Sequence, residues 1–105
     1  MEVNKLFNCS TEDFFPRFIA ASHNSEGRCG LMKLHFQTTE QKPEFGMISM
    51  NVILGNITIN PVGKVQFRYF EENGGTRCIA DATVYTPLYK NTVNKMLENI
   101  FNKIG

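Results

Sequence analysis

The spacing of hydrophobic and polar positions changes period several times along the chain, and each change predicts an element. Residues 2–9, "EVNKLFNC", alternate weakly with Val3 and Phe7 on one side and read as a strand. In "STEDFFPRFIAAS", Phe14, Phe15, Phe18 and Ile19 make one helical face behind a capping-box-like Ser10 and Asp13. Pro16 fits best if this helix starts between Thr11 and Asp13, with a kink, because a proline N–H is missed least in the first turn. The polar, glycine-containing "HNSEGRCG" (23–30) reads as a loop.

A two-residue alternation then returns. "LMKLHFQTT" places Met32, Leu34, Phe36 and Thr38 on one face, and "GMISMNVIL" places Ile48, Met50, Val52 and Leu54 together, with the polar connection "EQKPEF" between them. Gly55-Asn56 predicts a tight hairpin, because glycine supplies the positive φ of a type II′ turn, so "ITIN" should return antiparallel. Pro61 and Gly63 suggest a bulge or bend before "KVQFRYFEE", where Val65, Phe67 and Tyr69 share a face; residues 57–71 read as one bent strand or as two. Asn73-Gly74-Gly75 is a further hairpin signal, leading into "TRCIADATVYT".

On that last strand Cys78, Ala80, Ala82 and Val84 share a face and are all small, a bed on which a helix can lie closely. The helix follows at once. Thr86 suits an N-cap and Pro87 the first helical position. Leu88, Thr92, Val93, Met96, Leu97, Ile100, Phe101 and Ile104 then recur at three- and four-residue intervals. The order predicts one α+β domain spanning 1–105: strand, helix, four or five antiparallel strands, helix, with a curved sheet and both helices packed on one face.

Composition narrows the function classes. Hydrophobic residues at 42% and charged residues at 20% describe an ordinary globular chain, neither disordered nor membrane-resident. The net charge of +1, with basic residues scattered singly, argues against nucleic acid, although Lys33, Lys64, Arg68 and Arg77 are able to meet on one sheet face. There is no leader-like start and no run of about 18 apolar residues, so the expected location is cytoplasmic with no membrane span. Cys9, Cys29 and Cys78, odd in number and widely spaced, read as reduced thiols.

Candidate chemistry is sparse. No C-x-x-C or H-x-x-x-H spacing suggests a metal, and no phosphate loop precedes a helix, so no cofactor is expected. His23 and His35 lack a family-type cysteine context, so no catalytic residue is assigned and enzymatic activity is not expected. The carboxylate pairs Glu12-Asp13 and Glu71-Glu72 belong to a helix N-terminus and a hairpin, and Asp81 is expected to form a cross-strand ion pair.

Two stretches carry a family likeness. "VNKLFNCSTEDFF" resembles the opening strand, polar break and acidic helix start of the START and Bet v 1-like, helix-grip superfamily. "TPLYKNTVNKMLENIFNKI" resembles its long C-terminal helix; the TATA-binding protein repeat shares the plan. The resemblance implies a binder of lipids, hormones or polyketides. This chain is shorter than the larger members and lacks their second small helix.

The first functional expectation is therefore a non-enzymatic domain that binds an apolar small molecule between sheet and C-terminal helix. Phe36, Met50, Phe67, Tyr69, Met96, Ile100 and Phe101 would line the pocket, toward the far end of the helix. The alternative is a protein–protein interaction domain or homodimer joined through an apolar sheet face or edge, since Met47, Ile53, Phe70, Ile79 and Tyr85 occupy the other face.

Overall fold

The computed structural model describes residues 1–23 and 25–105. Its six strands are β1 (Glu2–Phe7), β2 (Glu26–Cys29), β3 (Met32–Lys42), β4 (Met47–Leu54), β5 (Gly63–Glu72) and β6 (Gly75–Val84). They form one antiparallel sheet in the order β1-β6-β5-β4-β3-β2. Helix α1 (Thr11–His23) separates β1 from β2, and α2 (Lys90–Ile104) ends the chain. The sheet curls into a half-barrel, and both helices lie on its concave side, as the sequence predicts.

The side-chain alternation explains the packing. Register pairs Met50 with Val65 and Ile48 with Phe67 across β4 and β5, then Val65 with Ala82 and Phe67 with Ala80 across β5 and β6. All of these side chains are buried on the concave face. The small bed of Cys78, Ala80, Ala82 and Val84 is buried beside the α2 face of Val93, Met96, Leu97, Ile100, Phe101 and Ile104. Asn73-Gly74 makes the tight β5–β6 turn with both φ angles positive.

Several expectations are corrected. Residues 23–30 are not simply a loop: Glu26–Cys29 form the edge strand β2, paired with Met32–His35. Asn24 of that segment lies outside the described residues. A four-residue edge strand needs little apolar content, so its sequence looks like a turn. Next, β3 runs on to Lys42 through a bulge between Thr38 and Glu40, and only Pro43–Phe45 leave it, as a 3₁₀ turn. The first half of "EQKPEF", Glu40 to Lys42, thus extends a strand whose sides are both wet.

Gly55 does turn with φ +58°, but "ITIN" forms no strand. A single bridge joins Leu54 to Ile57, and β5 starts at Gly63. Pro61 has no N–H to donate to a ladder, and it keeps this segment out of the sheet. Residues 57–71 are therefore neither one bent strand nor two.

Helix α1 begins at Thr11, with Ser10 as its cap: the Asp13 N–H donates to Ser10 Oγ at 3.1 Å. Pro16 therefore lies in the second turn rather than the first. At the other helix, Thr86 makes no side-chain cap bond, and Pro87–Tyr89 form a 3₁₀ turn before α2. Its three-residue period swings the stripe by one position, so Tyr89 is buried while Leu88 is 65% exposed.

Candidate functional site

The structure brings six of the seven predicted pocket residues into one cluster. Met50, Phe67, Tyr69, Met96, Ile100 and Phe101 are all buried, and Phe36 is half-buried at the margin of the same cluster. They come from β4, β5 and α2, with Phe36 on β3, and they face one another because the curled sheet wraps its concave side around α2.

Between them stand three phenylalanines that the pocket reading left out. Phe7 ends β1, and Phe14 and Phe18 project from α1; all three are buried. Phe18 meets Phe67 edge-on at 4.7 Å between centroids, Phe14 lies 5.0 Å from Tyr69, and Phe7 meets Phe101 edge-on at 5.5 Å. Such separations are those of well-packed aromatic pairs. The signal was present in the α1 periodicity, but which sheet residues it would meet was not.

Polar groups at the rim of this core are satisfied. Thr76, fully buried, donates its hydroxyl to Cys9 O at 2.9 Å, and Tyr69 Oη donates to Pro43 O at 3.4 Å. Burial, then the neighbouring Cys78 and Glu44, raise the Tyr69 phenol above its ordinary value. Burial alone pushes the Cys78 thiol up to about 12. A thiol so held is neutral near pH 7 and a poor nucleophile, which removes the cysteine with the most enclosed setting from covalent chemistry.

Two open grooves flank β2. One, of about 750 Å³, is lined by His23, Ser25, Glu26, Lys33, Leu34, His35, Phe36, Gly55 and Asn56. The second, about 240 Å³, lies between β2 and α2 and reaches Gly27, Thr92 and Met96. Gly27 is what allows α2 to come so near: a Cβ there would sit 2.6 Å from Met96 Sδ and 2.7 Å from Thr92 Cγ2. Few bonds hold β2 to the helix side. Thr92 Oγ1 donates to Arg28 O at 3.4 Å, and Cys29 Sγ to Leu88 O at 3.7 Å. Phe36 and Met96 are thus the predicted residues that reach the grooves about β2, one on either side. Ile104, at the far end of α2, lines a shallow groove of about 400 Å³ with Arg17, Ala20, Ala21 and Lys103.

The convex face carries the remaining candidates. Lys33, Lys64, Arg68 and Arg77 do share it, but with carboxylates among them. Arg77 Nη2 and Nε both reach Glu72 Oε2, at 2.6 and 2.7 Å, and Nη1 donates to Asn4 Oδ1 at 3.2 Å. Asp81 is not in the expected ion pair: its register partners are Glu2 and Gln66, and no cation bridges it among the described residues. Ile53, though on this face, is fully buried. No group of three or more His, Cys, Asp or Glu side chains placed to hold a metal occurs among the described residues.

No protein-family model matches the chain, and no curated protein matches it in sequence. Solved structures do match in shape. The Bet v 1-like allergen Ara h 8.0201 superposes with a TM-score of 0.70 at 11% identity over 99% of this chain and 92% of that one. Protein Ms6760 from Mycobacterium smegmatis gives 0.66 at 15% identity, covering 98% and 86%. The Aha1 protein from Colwellia psychrerythraea, solved as a dimer, gives 0.64 at 10% identity, covering 97% and 90%. At these identities the likeness is one of fold: a Bet v 1/START-like, helix-grip fold, as the two quoted stretches suggested.

Proposed function

We propose that this helix-grip domain is a non-enzymatic, cytoplasmic binding module that takes an apolar small molecule between its sheet and C-terminal helix, gaining access beside β2. The observation that carries the reading is the pair of grooves about that strand. Each leads from solvent to a residue at the edge of the apolar interior, Phe36 on one side and Met96 on the other. The larger groove is mainly polar at its rim, with His23, Ser25 and His35 to orient a ligand, and it meets apolar side chains at Leu34 and Phe36.

Beyond them, Met50, Phe67, Tyr69, Ile100 and Phe101 form the wall that a ligand would repack. The methionines adapt readily, whereas the phenylalanine cluster limits the ligand to a small or flat molecule. Three free cysteines fit a reducing compartment, and no helix is long and apolar enough to cross a membrane. The fluorescent probe 1-anilinonaphthalene-8-sulfonate tests the reading. Saturable uptake by the folded protein, weakened about tenfold by Phe36→Ala, is expected from the loss of one large aromatic contact. No saturable uptake, with no molecule retained in native mass spectrometry, sinks it.

A second reading rests on the edge of β3. Because β2 pairs only with Met32–His35, residues 36–42 have no outer strand partner among the described residues. That edge suits antiparallel pairing with a second copy, and the solved Aha1 neighbour is described as a dimer. Light scattering showing only monomer at high concentration would exclude it.

A further inference from the structure

Most of the exposed hydrophobic side chains lie at one end of the sheet; Leu6, Phe45 and Phe70 lie toward the other. Strand register places the β2–β3 turn, the β4–β5 connection and the β6–α2 connection at one end of the sheet, since Leu34 lies opposite Leu54, Val52 opposite Gly63, and Gly63 opposite Val84. From these three connections project Leu31, 97% exposed, Ile59, 87%, Leu88, 65%, and Ile57, 56%. Backbone bonds tie the connections together: Gly55 N donates to Lys33 O at 2.8 Å and Tyr85 N to Val62 O at 2.9 Å. The Cys29 thiol reaches Leu88 O across the curled sheet.

Charge at this end is mainly basic. Arg28, Lys33, Lys64 and Lys90 are exposed around the apolar tip. The segments that build it, residues 27–34, 54–64 and 82–91, contain no aspartate or glutamate. The nearest carboxylate is Glu26, which is level with His35 and Ile53 and so nearer the tip than Lys64, level with Asn51; Glu2 and Asp81 stand farther along the strands on the convex face. The opposite end is built differently. Glu12, Asp13, Glu40, Glu44, Glu71 and Glu72 gather there, near the exposed Phe45. Lys42 and Arg77 bridge two of these carboxylates, Glu40 and Glu72, so a net charge of +1 hides a carboxylate-rich end and a basic, apolar one.

We propose that the basic, apolar end is a docking surface for an anionic phospholipid bilayer. Branched aliphatic side chains held out on connections have no partner in the chain, yet they are suited to the boundary between headgroups and acyl chains. The cations behind them lie where lipid headgroups would be, and an anionic leaflet attracts such residues. A protein interface would offer hydrogen-bonding partners on both sides of its rim. The tip presents aliphatic ends backed by four cations with Glu26 the carboxylate nearest them, a match to the layered chemistry of an anionic membrane surface. The inference does not depend on whether the interior takes a ligand.

Vesicle flotation tests it. The full chain is expected to float with phosphatidylcholine vesicles containing about a third phosphatidylglycerol, to stay behind with phosphatidylcholine alone, and to lose binding as salt is raised. Leu31→Ser combined with Ile59→Ser should weaken binding tenfold or more, and Lys33→Gln by about fivefold. Phe45→Ser at the acidic end should change nothing. Leu31 and Ile59 are nearly fully exposed, so the double variant should keep the parent melting curve and its uptake of the fluorescent probe. The proposal is overturned if the chain does not float with anionic vesicles at low salt, or if it floats equally well as the double variant. It is equally overturned if light scattering shows that the tip residues instead join two copies.

Discussion

At the scale of single residues, Cys78 and Gly27 define what the concave side will tolerate. The Cys78 thiol titrates near 12 in the folded chain, against about 9 for an ordinary one. Its folded value is the raised one, so the neutral thiol's contribution is intact below pH 9 and is lost as pH rises toward 12, by about 1.4 kcal/mol per pH unit in that window. Chemical denaturation at a series of alkaline pH values should show this fall, and Cys78→Ala should flatten it. A thiol reagent at neutral pH should label Cys9 and Cys29, which are partly exposed, and leave Cys78 unlabelled until the chain unfolds. Gly27 is constrained by space. Gly27→Ala would drive a methyl into Met96 and Thr92, with an expected loss of about 1–3 kcal/mol in urea unfolding. Pairing it with Met96→Ala should recover part of that loss, since the two changes share one contact. Nothing in the sequence around "EGRC" announces this contact, because it joins residues about seventy positions apart.

At the scale of elements, legibility tracked how much of an element's burial is periodic. Strand β5 alternates buried and exposed from Gly63 to Phe70, and α2 presents a continuous stripe, so both were readable from spacing. Strand β2 and the second half of β3 have little or nothing buried, and their pairing comes from their neighbours rather than from their own side chains. The α1 start was readable in kind but not in place. Ser10 caps it, and Ser10→Ala should cost about 1 kcal/mol, measured by thermal or urea unfolding. Pro16 does not set the start: tertiary burial of Phe14 and Phe18 holds the helix through a proline that local propensity alone would keep in the first turn.

At the scale of the whole molecule, one core joins both helices to the sheet, so unfolding should be a single cooperative transition. Phe67 stands at its centre, fully buried against Phe18, and Phe67→Ala should cost about 3–5 kcal/mol. Phe45, 71% exposed, should change stability by no more than about 0.5 kcal/mol when replaced by serine. Differential scanning calorimetry of the two variants checks both figures and the single transition. The sequence by itself determined the α+β class, the order of the main elements, the buried face of the alternating strands and the small-residue bed under α2, because these follow from local periodicity and side-chain size. Only the tertiary structure decided that the predicted pocket residues meet phenylalanines from α1 and β1, that β2 closes the sheet edge against α2, and that exposed aliphatic groups gather with cations at one end while most carboxylates gather at the other. Those outcomes depend on which distant segments the curled sheet brings together, and chain spacing carries no term for that.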